Sequence, residues 1–297
     1  MIFRILKGNK LKQWIFDILT GTLGKVIGRH NLVRYGNFLS RAGRLDFPNG
    51  LTNNGETLVQ RVVLDSDETY TKVIVDCGAN VGEWTYQLFK ESELKDNNFE
   101  MDVYSFEPSA YTYRELVSTI KNIENSRNIR FFPINKALSS SIGEANLAIS
   151  NPGGGTNSLV HTENIVDLEM EQVPLTTLDS FVKQNNITQI SLLKIDAEGH
   201  DPDVIKGAEM LIANQNIGVI QFEYNWRWIF GNNFLRDVFM NLSENGYHLG
   251  KVTPRGIQFF PRYSVELETF VESNYIACTD EWVDKFPVVD YWKSSNE

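Results

Sequence analysis

The sequence predicts an α/β fold: a mostly parallel sheet with helices on both faces, preceded by a helical N-terminal extension. Three observations carry this. From residue 71 onward, short apolar runs alternate with amphipathic stretches of helical spacing. Successive runs end in an acid, at Asp76, Glu107, Asp196 and Glu223. The first run enters a glycine-punctuated turn, Asp76-Cys77-Gly78-Ala79-Asn80-Val81-Gly82, that opens a new helix.

The chain has 297 residues, 42% hydrophobic and 22% charged, enough to bury a large core. Its two cysteines, Cys77 and Cys278, lie far apart and one sits inside the turn. A structural disulfide is therefore not expected, and a reducing, cytoplasmic setting is. No apolar run reaches the ~20 residues of a transmembrane helix. No Cys/His cluster has zinc spacing.

Charge is unevenly placed. Nine of the 28 Lys/Arg and one of the 38 acids, Asp17, fall in residues 1–45, leaving 19 basic against 37 acidic groups beyond. An acidic body disfavours nonspecific nucleic-acid binding, which phosphate electrostatics dominates. The basic N-terminus suits an anionic surface, another subunit or the acidic body itself.

The elements follow in order. Leu11, Trp14, Ile15, Ile18, Leu19, Val26 and Ile27 recur at helical spacing, with breaks expected near Gly21 and Gly24. This amphipathic helix reads as a peripheral membrane or partner contact, as an accessory helix packed on the main domain, or as an organellar presequence. Residues 45–70 are polar, with turns at Pro48-Asn49-Gly50 and Asn53-Asn54-Gly55. The boundary is placed there, giving an extension of 1–70 and a main domain of 71–297. Strands are expected at 72–76, 103–106, 130–134, 191–195 and 218–222. Helices follow from about Gly82, along Ala110 to Ile123, and from Asp201-Pro202, with Asp201 as N-cap and Pro202 at the first helical position. Beyond 232 come a helix and strand-like runs at 247–252, 257–260 and 275–278.

Ligands of such sheets bind outside the carboxyl ends of the strands. The turn spacing is Asp-x-Gly-x-Asn-x-Gly, which departs from the dinucleotide Gly-x-Gly-x-x-Gly and points to S-adenosylmethionine. Glu107, 25 residues past Gly82, is placed to accept both hydroxyls of a ribose. Asp76 would bind the cofactor directly, through water, or by fixing the N–H groups of the turn. Asn80 tolerates a left-handed backbone.

Four blocks then resemble one family: Val75 to Gly82, Ser105-Phe106-Glu107-Pro108, Ala137-Leu138-Ser139, and Lys194-Ile195-Asp196-Ala197-Glu198-Gly199-His200. Thr177-Leu178-Asp179-Ser180-Phe181 and Lys206-Gly207-Ala208 fit the same pattern. The chain resembles the FkbM family of class I S-adenosylmethionine-dependent methyltransferases over residues 70–225. The resemblance implies a Rossmann-like seven-stranded sheet of order 3-2-1-4-5-7-6 with the last strand antiparallel. It implies that Asp76, Gly78, Asn80 and Gly82 cradle the methionine part, Glu107 the ribose, and Asn135-Lys136-Ala137 the adenine. It also implies O-methylation of a hydroxyl on a saccharide or natural product.

Asp196, Glu198 and His200 are the candidate catalytic residues, since transfer from an activated sulfonium needs alignment and proton removal. His200 has a suitable ordinary pKa, or it is a polar residue at the helix N-terminus. Lys194 reads as an ion-pair partner of a nearby carboxylate. Asp196 with Glu223 would suit Mg²⁺ or Ca²⁺, although no motif specifies a metal. Asn151 to Ser158 is a polar, glycine-rich loop, read as a lid whose Asn157 and Ser158 donate to a sugar, or as a β-hairpin connection. Tyr224, Trp226 and Trp228 would stack on an acceptor ring or pack the core. Two rival readings are an RNA-modifying methyltransferase and a catalytically silent cofactor-binding scaffold.

Overall fold

The computed structural model describes residues 9–46, 54–66, 71–95, 100–123, 128–150, 155–160 and 169–291. The expected turn at Pro48–Gly50, Asn53, and residues 151–154 of the glycine-rich loop lie outside them. The chain divides into two compact units between Phe47 and Pro48.

The first unit is helical. Helix Asn9–Ile18 runs into a π-helical turn, Leu19–Leu23, then Gly24–Val26, and a second long helix spans Arg29–Arg44. The helix continues past Gly21 and Gly24, where breaks were expected, by widening to π geometry. The break falls at Gly28, whose φ of 81° lies outside helical space.

The second unit starts before residue 71. Helix Glu56–Leu64 buries Val59, Val63 and Leu64 among sheet residues, so this polar-looking segment belongs to the main core rather than to the extension. Its apolar residues lie between two turn-rich polar stretches, and what buries them, the sheet, comes later in the chain.

The strands in chain order are β1 Lys72–Cys77, β2 Met101–Phe106, β3 Ile129–Ile134, β4 Ala137–Leu138, β5 Gly143–Ile149, β6 Glu169–Thr176, β7 Ile190–Ile195, β8 Ile217–Tyr224, β9 His248–Thr253, β10 Gly256–Phe260 and β11 Ser273–Cys278. Eight form one sheet, of order β10-β9-β11-β8-β7-β1-β2-β3. The expected count of seven is thereby corrected: β10 folds back antiparallel on β9 and adds an edge. The strands β3, β2, β1, β7 and β8 run parallel, and β11 is antiparallel to both β8 and β9.

A second sheet, β4-β6-β5, was not foreseen. Its β5 and β6 pair antiparallel, so the glycine-rich loop is an excursion between two hairpin-related strands.

Period-two alternation sends β1 side chains to two cores. Val75 and Cys77 pack with Leu178, Val204, Ile205 and Leu211 on one face. Ile74 packs with Val63, Trp84, Leu88 and Leu116 on the other. Both cysteines are free and buried. No helix among the described residues is long and apolar enough to cross a membrane.

Candidate active site

Strand alternation also decides where the first acid goes. Asp76 shares the face of Ile74, so its side chain points under helix Glu83–Glu93 rather than out of the strand tip. It is fully buried, accepts the Thr85 hydroxyl at 2.8 Å, and lies 3.2 Å from Lys194 Nζ. In register, Ser105, Asp76, Lys194 and Gln221 stand side by side across four adjacent strands. Asp76 is not among the described residues lining the two cavities; it stands in this buried polar row, whose Lys194 also donates to the Gly78 carbonyl of the turn. Burial alone would push Lys194 down, but Asp76, Asp196 and Glu56 together hold it above the ordinary lysine range.

The turn itself is left-handed at Gly78 (φ 75°), Asn80 (φ 50°) and Gly82 (φ 89°). Gly78 is required by space as well as by φ. A Cβ there would lie 1.9 Å from the Asp196 carbonyl oxygen, because the tips of β1 and β7 touch. Gly82 packs toward Leu116 of the neighbouring helix and stands outside the cavity the turn borders, unlike its expected role.

That cavity opens at the carboxyl ends of β1, β2 and β7. Gly78, Asn80, Glu107, Ala137, Asp196 and Glu198 line it, with His200 and Asn157 completing the wall. Glu107 is 6% exposed; its Oε2 accepts the Asn80 N–H at 3.0 Å and its Oε1 the Ser109 N–H at 2.9 Å. Each oxygen keeps a lone pair for a ligand. Burial pushes this carboxyl up to about 7 against the pull of those two N–H groups. Lys136 and Ala137 reach the wall, whereas Asn135 turns back to donate to the Glu107 and Pro108 carbonyls.

A second cavity, of about 240 Å³, adjoins the first. Gly78, Asn80, Asp196 and Glu198 border both. Glu198 has φ 53°, and its carboxylate pairs with Arg227 at 2.6 Å, a contact the sequence did not signal. Burial and the nearby Asp196 push Glu198 up to about 8, with Arg227 opposing them.

His200 borders the first cavity alone. Its Nε2 lies 3.0 Å from the Ser139 hydroxyl, and Nδ1 lies 3.5 Å from Asp203. It sits beside Ala137-Leu138 rather than at the junction of the two cavities. Burial lowers its pKa, with Asp203 opposing. Asp201 accepts the Gly199 and Glu223 N–H groups, so it ties the turn to β8, and His200 takes the N-cap position.

Asn157 lines the first cavity while its side-chain carbonyl accepts the Ser150 N–H. Ser158 is turned away: its hydroxyl donates to the Glu198 carbonyl at 2.7 Å and so pins the loop. Tyr224 and Trp228 are fully buried core residues, and Trp226 is exposed beside Phe230. Asp196 and Glu223 share a wall of the second cavity. Among the described residues, no three His, Cys, Asp or Glu side chains are grouped to hold a metal ion.

A parallel sheet with a glycine turn after β1, an acid at the tip of β2 and a cavity above them is the arrangement of a Rossmann-like domain for a nucleotide-type cofactor. The methyltransferase FkbM domain matches residues 76–249, more than half of the chain, and the protein belongs to that family. The chain is similar to the hexuronic acid methyltransferase AglP of Haloferax volcanii, 23% identical over 167 residues, covering 56% of this chain and 62% of that protein. Among solved structures it is similar to methyltransferase FkbM from Methylobacillus flagellatus KT, with 16% identity and a TM-score of 0.44 over 69% of this chain and 43% of that one. It is also similar to a TehB-like methyltransferase from Corynebacterium glutamicum, with 12% identity and a TM-score of 0.36 over 84% and 97%.

Proposed function

We propose that this protein transfers a methyl group from S-adenosylmethionine to a hydroxyl of a saccharide or natural-product acceptor. One observation carries the reading: the cavity at the glycine turn and the second cavity meet at Asp196 and Glu198. A donor in the first and an acceptor in the second would face each other across these two carboxylates. The saccharide class is supported by the relative whose name is hexuronic acid methyltransferase, of which this chain spans 62%.

The residues fit the cofactor. Gly78 holds the positive φ that lets the turn border the cavity, and the Asn80 Oδ1 is buried without a hydrogen-bond partner. Glu107 would accept the ribose hydroxyls with its two remaining lone pairs, and Lys136-Ala137 would flank the adenine. S-adenosylmethionine supplies an activated methyl group on a sulfonium. Glu198, raised toward neutrality, takes the acceptor proton, and Asp196 sets negative charge beside the sulfonium. His200 holds the Ser139 segment in place rather than serving as the base.

We propose further that the first unit touches an anionic membrane surface. Both long helices carry exposed apolar residues, including Trp14, Phe38 and Leu39, and Arg34 and Arg41 extend the basic character.

The test is to incubate the protein with labelled S-adenosylmethionine and a glycan extract and to identify the product. Label on a sugar oxygen supports the reading; label on RNA or on no acceptor overturns it.

A further inference from the structure

We propose that Arg227 is a positioning residue for methyl transfer: its guanidinium fixes the Glu198 carboxylate where the two cavities meet. The inference rests on the reading of Glu198 as the base and adds the group that aims it. The two side chains pair at 2.6 Å and are only 16% and 17% exposed, so water screens the contact little. A glutamate left to itself samples several rotamers, and freezing it costs entropy. Here it is held from several sides.

The Glu198 backbone is held first. Its φ of 53° is left-handed, a conformation that is costly for a non-glycine residue and persists where neighbours over-determine it. The Ser158 hydroxyl donates to the Glu198 carbonyl, and Gly199 follows at φ 97°. A Cβ on Gly199 would lie 2.6 Å from the Arg227 Cβ, so the turn rests directly on the stem of Arg227. Arg227 is held in its turn. Its N–H donates to the side-chain oxygen of Asn225, a fully buried residue, and its guanidinium lies 4.9 Å from the centre of the Trp226 ring. Burial, Asp196, Asp201 and Glu272 all work against negative charge on Glu198, and Arg227 opposes them. A planar, always-charged guanidinium suits this task, since it orients a carboxylate while it stabilises it.

The test uses Arg227→Ala in the full chain, which keeps the Cβ that packs on Gly199 and removes the guanidinium. The proteins carry isotope-labelled glutamate, and the Glu198 carboxyl resonance is identified by its absence from Glu198→Gln. Arg227→Ala is expected to move that resonance. Millimolar guanidinium chloride should return it, and sodium chloride at equal ionic strength should not. Transfer from labelled S-adenosylmethionine to the glycan extract should fall by about 10²-fold, with S-adenosylhomocysteine affinity unchanged. It should recover with guanidinium, and in part with Arg227→Lys. A Glu198 resonance unmoved by Arg227→Ala, or a loss of transfer that neither guanidinium nor Arg227→Lys restores, overturns the inference. The expected resonance changes with full transfer by Glu198→Gln would instead overturn Glu198 as the base and leave its fixing by Arg227 standing.

Discussion

The Lys194 ammonium lies 3.2 Å from the Asp76 carboxylate, on neighbouring strands and in register, with side chains 4% and 0% exposed. Removing the cation would strand a buried carboxylate. Lys194→Met is therefore expected to destabilise the fold by ~3–5 kcal/mol. The double variant Asp76→Asn/Lys194→Met should lose less than the single one. Urea unfolding of the three proteins checks both statements.

Glu107 joins the turn to the cavity through the Asn80 N–H. Glu107→Ala should weaken S-adenosylmethionine binding by ~2–4 kcal/mol, from charge-assisted bonds to the ribose. The carboxyl is held at about 7, so it takes up a proton as pH falls through that value. Cofactor affinity should fall from pH 8 to pH 6, and Glu107→Gln should flatten the dependence. Calorimetry showing a pH-independent affinity in the wild type would contradict the assignment.

Gly78→Ala would drive a methyl into the Asp196 carbonyl and force φ 75° on a residue with a Cβ. The backbone strain alone is worth ~1–3 kcal/mol. The tips of β1 and β7 must part to admit the methyl, so cofactor binding should disappear. A melting curve and a binding titration on the same sample separate the two effects.

Glu198→Gln should slow methyl transfer by ~10²–10⁴-fold while leaving cofactor affinity within a few-fold. The base is the ionised form of a carboxyl raised to about 8, so the wild-type rate should climb with pH through that value. The variant should lose that limb of the profile. His200→Gln should keep it; a loss there would move the base back to His200.

The amphipathic helices of the first unit predict binding to vesicles of anionic lipid, weakened by salt and by Trp14→Ala with Phe38→Ala. Co-sedimentation with neutral and anionic vesicles measures this. Equal binding to both, or none to either, would remove the membrane role.

Much of the main domain was legible because its signals are local. A buried parallel strand is a continuous apolar run, and the turn after β1 needs Gly78 and an αL-tolerant Asn80 whatever surrounds it. Glu107 and Asp196 were readable from their places at strand tips, and Glu198 from the Lys194–His200 block that resembles the family. The small β4-β6-β5 sheet was missed, since β4 has two residues and β5 is largely exposed. Helix Glu56–Leu64 was missed because its burial depends on a sheet that comes later in the chain.

By itself, then, the sequence determined the alternating α/β architecture, the glycine turn, the family and the acids at the strand ends. Only the tertiary structure decided where each acid sits and what it touches. Register placed Asp76 against Lys194 beneath the turn, and the contact of β1 with β7 put Asp196 and Glu198 between two cavities. Packing between distant segments turned His200 toward Ser139 and gathered Glu56, Glu223 and Glu272 around one space. The reason is physical: a residue's local conformation is set by its neighbours in sequence, whereas its burial and polar partners come from distant segments, as Asn274 donating to Glu56 across 218 residues illustrates.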